Sequence, residues 1–568
     1  MTSPLVRTES VSVSRAALGM WRGNRGALRH GDAMLAELLA RIDRPVYAVA
    51  ADSGTAFTDA GEAVLSGAAG AERDISPLLG FAAPCLPEAL GDPSFRADHG
   101  LRYAYMAGAM ANGIASEALV EAMARAGFLG IFGAAGLGPD RVAKAVDRLQ
   151  SALGALPHGY NLIHSPNESH LEDAIVDLYL ARGVRLVEAS AFLQLTPAIV
   201  RYRLHGIHRA PDGSVVVPNR VIAKVSREEI AEKFMSPAPE KILRGLIDAG
   251  KITAEQAELS AQIPMAQDVT AEADSGGHTD HRPAIALLPS LCSLRDRLQT
   301  QFGYAQRLRV GLGGGIATPE SVAAAFAMGA AYVVTGSINQ ACVESGSSDI
   351  VRKMLAEARQ ADVARAPAAD MFEMGVTVQV LKRGTMFAMR AGKLHELYRA
   401  CDSMDAIPAA EREKLEKTVF RFPLDEVWRQ TREFFAERDP RQIERADKNP
   451  KHKMALVFRW YLGQSSNWAN RGVADRVMDY QIWCGPAMGA FNEWAAGTFL
   501  EAPENRRAAD AGRALLHGAA VVHRANALRT QGVDVTPECA RVRPKSPGDA
   551  TRYFADAVQA SAANGGSR

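Results

Sequence analysis

The sequence predicts an α/β chain built on a closed (β/α)8 barrel, with a helical lid insertion, a small N-terminal β-containing region and a helical C-terminal region. Three observations predict it. From Tyr103 onward, short apolar, β-compatible runs alternate with amphipathic helical runs. Eight strand runs fall between Tyr103 and Gly336, a span close to the ~250 residues typical of such a barrel. Glycine clusters stand at the ends of the last two. Alternating βα units need parallel strands and helical crossovers. A doubly wound open sheet is the competing architecture, and the count and the glycine positions favour closure.

Taken in order, the strand at 103–106 leads to a helix at 116–126, 129–133 to 139–153, 159–163 to 171–182, and 185–189 to 197–204. Strands at 220–225, 269–273, 309–312 and 331–336 complete the set. The stretch 227–265 is an insertion with helices at 228–234, 240–250 and 254–262, and Thr253 with Gln256 resembles a capping box. It comes after the C-terminal end of a barrel strand, which places it over the mouth as a lid; an outlying helical excursion is equally consistent. Residues 1–100 form a small, mostly β region: 46–50 reads as a strand, and Pro77, Pro84, Pro87 and Pro93 break the next stretch into loop. The barrel region runs over 101–400. After about 340 the chain turns mostly helical (348–362, 392–398, 408–419, 424–437, 505–530), giving a helical region at 401–535. A tail occupies 536–568, its small polar end 561–568 read as disordered. Within 451–494 the aromatics Phe458, Trp460, Tyr461, Trp468, Tyr480, Trp483, Phe491 and Trp494 read as core, with an acyl-tunnel wall or docking face as the alternative.

Composition excludes several classes. Lys+Arg is 65 against 64 Asp+Glu, so the chain lacks the cationic excess of a general nucleic-acid binder. Six cysteines contain no CxxC pair, which excludes a disulfide scaffold and a zinc knuckle and fits a reducing cytoplasm. The longest apolar stretch, 322–334, is shorter than the ~18 residues of a membrane span, and the N-terminus shows no secretory apolar core. A cytoplasmic protein with no membrane, nucleic-acid or metal partner is expected.

Four motifs carry chemistry. Gly311–Glu320 (GLGGGIATPE) stands after a strand and precedes a helix, and Val333-Val-Thr-Gly-Ser337 ends the next strand. Glycines there let backbone N–H groups approach a ligand, and the loops after strands seven and eight of barrels frequently hold phosphate. A Rossmann fingerprint fails because residue 316 is Ile; tight turns without a ligand are the alternative. Ala271–His278 places His278 after Gly276 and Gly277 on a rim loop, where imidazole can exchange a proton near neutral pH. Lys224 ends an apolar strand and must reach solvent or meet an anion. Asn161, ending strand three, offers a donor and an acceptor to a ring edge, and small residues after strand one leave room for a flat ring.

Together MAGAMANGIAS (106–116), GYNLIHSPNE (159–168), EADSGGHTD (272–280), GLGGGIATPE (311–320) and VVTGSINQACV (333–343) resemble the PfaD family. These are trans-acting enoyl reductases of polyunsaturated-fatty-acid and polyketide synthases. Residues 369–391, 451–463 and 479–494 match the same family, and the resemblance covers about 75–500. The barrel is also similar to nitronate monooxygenases and flavin-dependent enoyl-acyl carrier protein reductases. The resemblance implies an FMN-binding barrel that takes electrons from NADPH and reduces the 2,3 double bond of enoyl thioesters on acyl carrier protein domains. It implies catalytic roles for His278 and Lys224. It implies FMN-phosphate contacts from Gly314, Gly315, Gly336 and Ser337, ring or ribityl contacts from Ala107, Gly108, Asn161 and Lys224, and cofactor contacts from Gly276, Gly277 and Gly313. One departure stands out: nitronate monooxygenases typically read Glu-Ala-Gly-Gly-His where this chain reads Asp274-Ser-Gly-Gly-His278. That weakens the oxygenase alternative. A non-catalytic synthase assembly subunit is the other.

Overall fold

A computed structural model describes residues 17–65, 75–164, 169–277 and 279–546. His278 and the tail end 561–568 lie outside these described residues. All eight expected strands are present: β1 (Tyr105–Ala107), β2 (Leu129–Phe132), β3 (His158–Ile163), β4 (Leu186–Ser190), β5 (Arg220–Val225), β6 (Asp268–Glu272), β7 (Arg309–Gly313) and β8 (Val333–Thr335). Each pairs in parallel with the next, and β8 returns to β1 through Val333–Tyr105, Val334–Met106 and Thr335–Ala107, closing the barrel.

The helical crossovers begin where the caps dictate. Ser116, Thr196 and Thr318 each accept an N–H of the first turn, and Pro139, Pro197 and Pro319 occupy first-turn positions where a missing N–H costs nothing. The capping box of Thr253 and Gln256 is formed. The helix Ala284–Phe302 between β6 and β7 was not expected; Pro289 inside it breaks the helical signature.

Further features differ from the sequence reading. The helix Pro93–His99, in a stretch read as loop, plugs the N-terminal end of the barrel. Phe95 stacks on Tyr332 at 4.1 Å and clusters with Met106, Leu129, Ile131, Leu186 and Ile222. Pro77 sits inside the strand Ile75–Ala82 of a five-stranded antiparallel sheet. It lies beyond the last residue paired to Val46–Ala51, so that neighbour does not need its N–H. The insertion is not a lid. Glu228–Met235 is the crossover after β5, packed on Ala284–Phe302; Glu240–Asp248 and Ala254–Ser260 come next and pack on the outer helix Pro197–Leu204. A helix that has run back along the barrel delivers the residues after it to the far end from the mouth.

The mouth is covered instead by an antiparallel hairpin, Val363–Pro367 with Thr377–Leu381, within the segment read as mostly helical. Its Val378 and Val380 cluster with Phe387, Leu394, Phe458 and Tyr461, so packing joins it to the helical region after it. The helix Ala508–Thr530 packs against Pro319–Ala327 on one side and the N-terminal sheet on the other. Gln531 accepts from the Phe81 N–H and donates to its carbonyl. Cys539 and Ala540, read as tail, are buried there. No helix among the described residues is long and apolar enough to cross a membrane.

At the plugged end, Asp268 accepts from Arg309 (2.6 Å) and lies 2.9 Å from His99 Nε2, all three buried; Arg309 also reaches Asp98. Burial alone would raise the Asp268 carboxyl, but His99 and Arg309 outweigh it and hold it down at about 2. Its unfolded value is ~3.9. The stability it contributes is therefore complete above about pH 4 and is lost as pH falls from there towards 2. Replacing Asp268 by Ala leaves Arg309 buried against fewer charges and should cost about 3–5 kcal/mol in denaturant unfolding at pH 7, with a smaller difference at pH 3.

Candidate active site

Period-two alternation decides which side chains reach the barrel interior. On β4, β5 and β6 the interior-facing positions near the C-terminal end are Glu188, Lys224 and Glu272. Lys224 Nζ lies 3.5 Å from Glu272 Oε1. Glu188 is fully buried; its Oε2 accepts the Ala109 N–H at 3.0 Å, while Oε1 has no partner among the described residues. Burial raises the Glu188 carboxyl, opposed by the Lys224 charge. Burial would lower the Lys224 ammonium, yet the two carboxylates together raise it. Asn161 on β3 donates to the Glu188 carbonyl (3.1 Å) and to Ser190 Oγ (3.0 Å).

A cavity of about 190 Å3 opens above these groups. Gly108, Asn161, Lys224, Gly276, Gly277, Gly313, Gly314, Gly315, Gly336 and Ser337 all line it. Ala107 does not: its side chain is buried in the outer layer between strands and helices. Backbone at β1 and β7 comes close because side chains are absent. A Cβ on Gly108 would sit 2.8 Å from Val334, and one on Gly314 (φ +88°) 2.8 Å from the Ala273 backbone. Gly315 and Gly336 face open space. No described group accepts from the amides of Gly314, Gly315 or Gly336, so these N–H groups are free for an anion. Ala191, also lining the cavity, holds φ +60°, a costly conformation for a non-glycine residue.

The roof comes from outside the barrel. Gln379 of the hairpin donates to Asp274 Oδ1 (2.8 Å), which also lies 2.7 Å from His281 Nδ1. Cys484 N–H donates to the Gln379 carbonyl, and Gly485 N–H to Ser337 Oγ. Val378 and Trp483 look down into the cavity. The sequence reading did not single out Glu188, Glu272 or Gln379 as site residues, and named Trp483 only within the aromatic segment read as core or acyl-tunnel wall. Glu188 carried a usable signal: a lone carboxylate within an apolar strand, on the same logic that picked Lys224.

Comparisons with known proteins fit this geometry. The family described as nitronate monooxygenase matches residues 98–385. The chain belongs to the nitronate monooxygenase family. A second family, the inserted helical domain of [acyl-carrier-protein] S-malonyltransferase, matches residues 401–480. The enoyl reductase domain of MlnA, from the macrolactin biosynthesis cluster of Bacillus amyloliquefaciens, is 39% identical with a TM-score of 0.73, over 78% of this chain and 99% of that one. A polyunsaturated fatty acid synthase subunit of Thraustochytrium sp. is 52% identical over 78% of this chain and 30% of its own length. Polyketide biosynthesis protein PksE of Bacillus subtilis is 46% identical over 77% of this chain and 56% of its length. The chain thus spans about a third to about half of these two relatives. These likenesses support the PfaD-like assignment.

Family membership implies a flavin. The residues fit one: a side-chain-free floor at Gly108, two glycine turns with unclaimed amides for a phosphate, and Asn161 and Lys224 with polar groups for a ring edge. The two turns should respond differently to substitution. Gly315→Ala meets only the left-handed backbone penalty, about 1–2 kcal/mol. Gly314→Ala adds a collision with the Ala273 backbone and should exceed it in thermal unfolding, with a larger loss of flavin retained through purification.

Proposed function

We propose that this chain is an FMN-dependent enoyl reductase. It acts in trans on enoyl thioesters carried by acyl carrier protein domains of a polyketide or polyunsaturated fatty acid synthase, with NADPH as donor. The observation that carries the reading is the cavity at the barrel rim, floored by Lys224 and Glu272, with Glu188 buried beneath, and edged by the glycine turns after β7 and β8. The names of the MlnA, PksE and synthase relatives support the reaction class and the carrier-protein partner.

Held by Gly314, Gly315, Gly336 and Ser337, FMN would supply hydride-transfer chemistry between NADPH and the enoyl thioester. The chain's own residues supply the rest. The amides of Gly314, Gly315 and Gly336, with Ser337, hold the phosphate. Asn161 and Lys224 orient the ring edge, and Lys224 keeps a fixed positive charge because two carboxylates hold its proton. His278 stabilises negative charge growing on the thioester oxygen or delivers the proton to the α-carbon. Hydride and proton together saturate the double bond, and NADP+ leaves. The roof of Val378 and Trp483 limits water above the reacting carbons. The family description favours one second reading, a nitronate monooxygenase, which would consume oxygen with an alkyl nitronate and need no NADPH.

Purified protein should be yellow. NADPH should bleach it without oxygen, and an enoyl carrier-protein thioester should restore the colour. A protein that stays colourless after FMN reconstitution ends the proposal. His278→Ala should bind FMN and be bleached normally, yet reduce enoyl thioester at least about 100-fold more slowly.

A further inference from the structure

A second cavity, of about 470 Å3, lies beside the first between the barrel and the helical region. The two share a wall of Ala111, Ala135, Asn161, Ile163, Val378 and Trp483. The far side is one face of the helix Pro450–Arg471: Leu456, Arg459, Trp460, Gly463, Gln464 and Asn467 recur at helical spacing. Leu162 and Ile175 from the barrel side and Phe434 and Phe435 from the helix Leu424–Arg438 give the rest an apolar stretch, while Glu172, Asp370, Gln430 and Arg438 place polar groups on the same wall. This divides the aromatic segment. Phe458 and Tyr461 are core, whereas Trp460 and Trp483 are cavity wall.

Gly463 is the telling residue. It stands mid-helix, where glycine costs about 1 kcal/mol relative to Ala. Neither a tight approach nor a positive φ requires it: a Cβ there would meet nothing within 4 Å. Its lack of a side chain leaves volume in the cavity. Space of this size is within the ~300–1,000 Å3 range of small-molecule sites.

We infer that this second cavity is the binding site for the aliphatic acyl chain of the thioester, distal to the reacting double bond. The inference rests on the proposed enoyl reductase function. It names the substrate class as medium-to-long acyl chains and makes Gly463 a specificity-determining residue. The cavities adjoin at the residues they share, so a thioester over the floor of the first directs its tail to the second, beneath Trp460.

The test compares holoenzyme with Gly463→Phe, which fills the space, and Gly463→Ala, which barely does. Both replace glycine with a better helix former, so folding is favoured; Gly463→Leu serves as a smaller filler should Phe lower the melting temperature. Calorimetric titration with dodecanoyl pantetheine should show at least about tenfold weaker binding to Gly463→Phe, as expected from the loss of two or more methylene contacts. Butanoyl pantetheine binding, and bleaching by NADPH, should be unchanged. Turnover should show the same split between dodecenoyl and crotonyl thioesters. Equal loss on both chain lengths, or no loss on the long one, overturns the inference. So does a penalty that tracks pantetheine over N-acetylcysteamine at fixed acyl length, since the cavity would then hold the carrier arm. A parent enzyme that NADPH bleaches but that reduces no enoyl thioester overturns the proposed function instead, and the calorimetric difference would still report on the cavity.

Discussion

The ladder between β8 and β1 is the constraint on which the site depends. Once the ring is closed no strand has an edge, and every strand must send alternate residues inward. Inward positions then stack in layers. At the plugged end the layer holds Asp268, Arg309 and Tyr332, sealed by Phe95. In the middle lie Thr270, Gly311 and Val334. A Cβ on Gly311 would fall 2.4 Å from the Tyr332 ring, so that glycine belongs to packing rather than to a ligand. Two residues further along the same strands come Glu272, Gly313 and Gly336. The floor of the cavity is thus set by the period of the strands, two steps after residues that fill the core.

The charges of that layer are unequally distributed around the ring. Glu188 and Glu272 sit on β4 and β6 with Lys224 between them, whereas β7 and β8 end in free backbone amides. A phosphate is repelled by the first arc and attracted by the second, so a mononucleotide has one favourable direction across the mouth. Glu188 has a further consequence. With Oε1 unpartnered among the described residues, burial raises its carboxyl and the Lys224 charge is the chief influence opposing that rise. Lys224 is a structural counter-charge, and the strand reading that left it open to either solvent or an anion missed that the nearest anions are the protein's own.

The barrel was legible because its signal is local and repeated: apolar strand runs alternate with helices, several of which announce themselves by a cap or a first-turn proline. Glycine clusters were legible because no other residue permits the backbone approach seen at Gly108 and Gly314. The rest was hidden for identifiable reasons. The helix Ala284–Phe302 carries Pro289, which interrupts its helical signature, and the strand Ile75–Ala82 carries Pro77, read by rule as a break. The plug Pro93–His99 is too short for periodicity to show. The insertion was misplaced because sequence order says which strand precedes it, not which end of the barrel it reaches. The Ala107 side chain faces the outer layer while its neighbour Gly108 lines the cavity, because in a strand one position is the difference between the two faces.

The roof was the least legible part, since it is defined by pairing between distant segments. The hairpin Val363–Pro367/Thr377–Leu381 gains a third partner from residues near Trp483, through Leu381 N–H to the Ile482 carbonyl and Cys484 N–H to the Gln379 carbonyl. That small sheet is tied to the barrel rim by Gln379 to Asp274 and by Gly485 to Ser337, at the loops after β6 and β8. Its apolar face packs against the helix Pro450–Arg471. The same element therefore covers one cavity and walls the next, with Val378 and Trp483 lining both, so the shapes of the two spaces depend on one set of side chains.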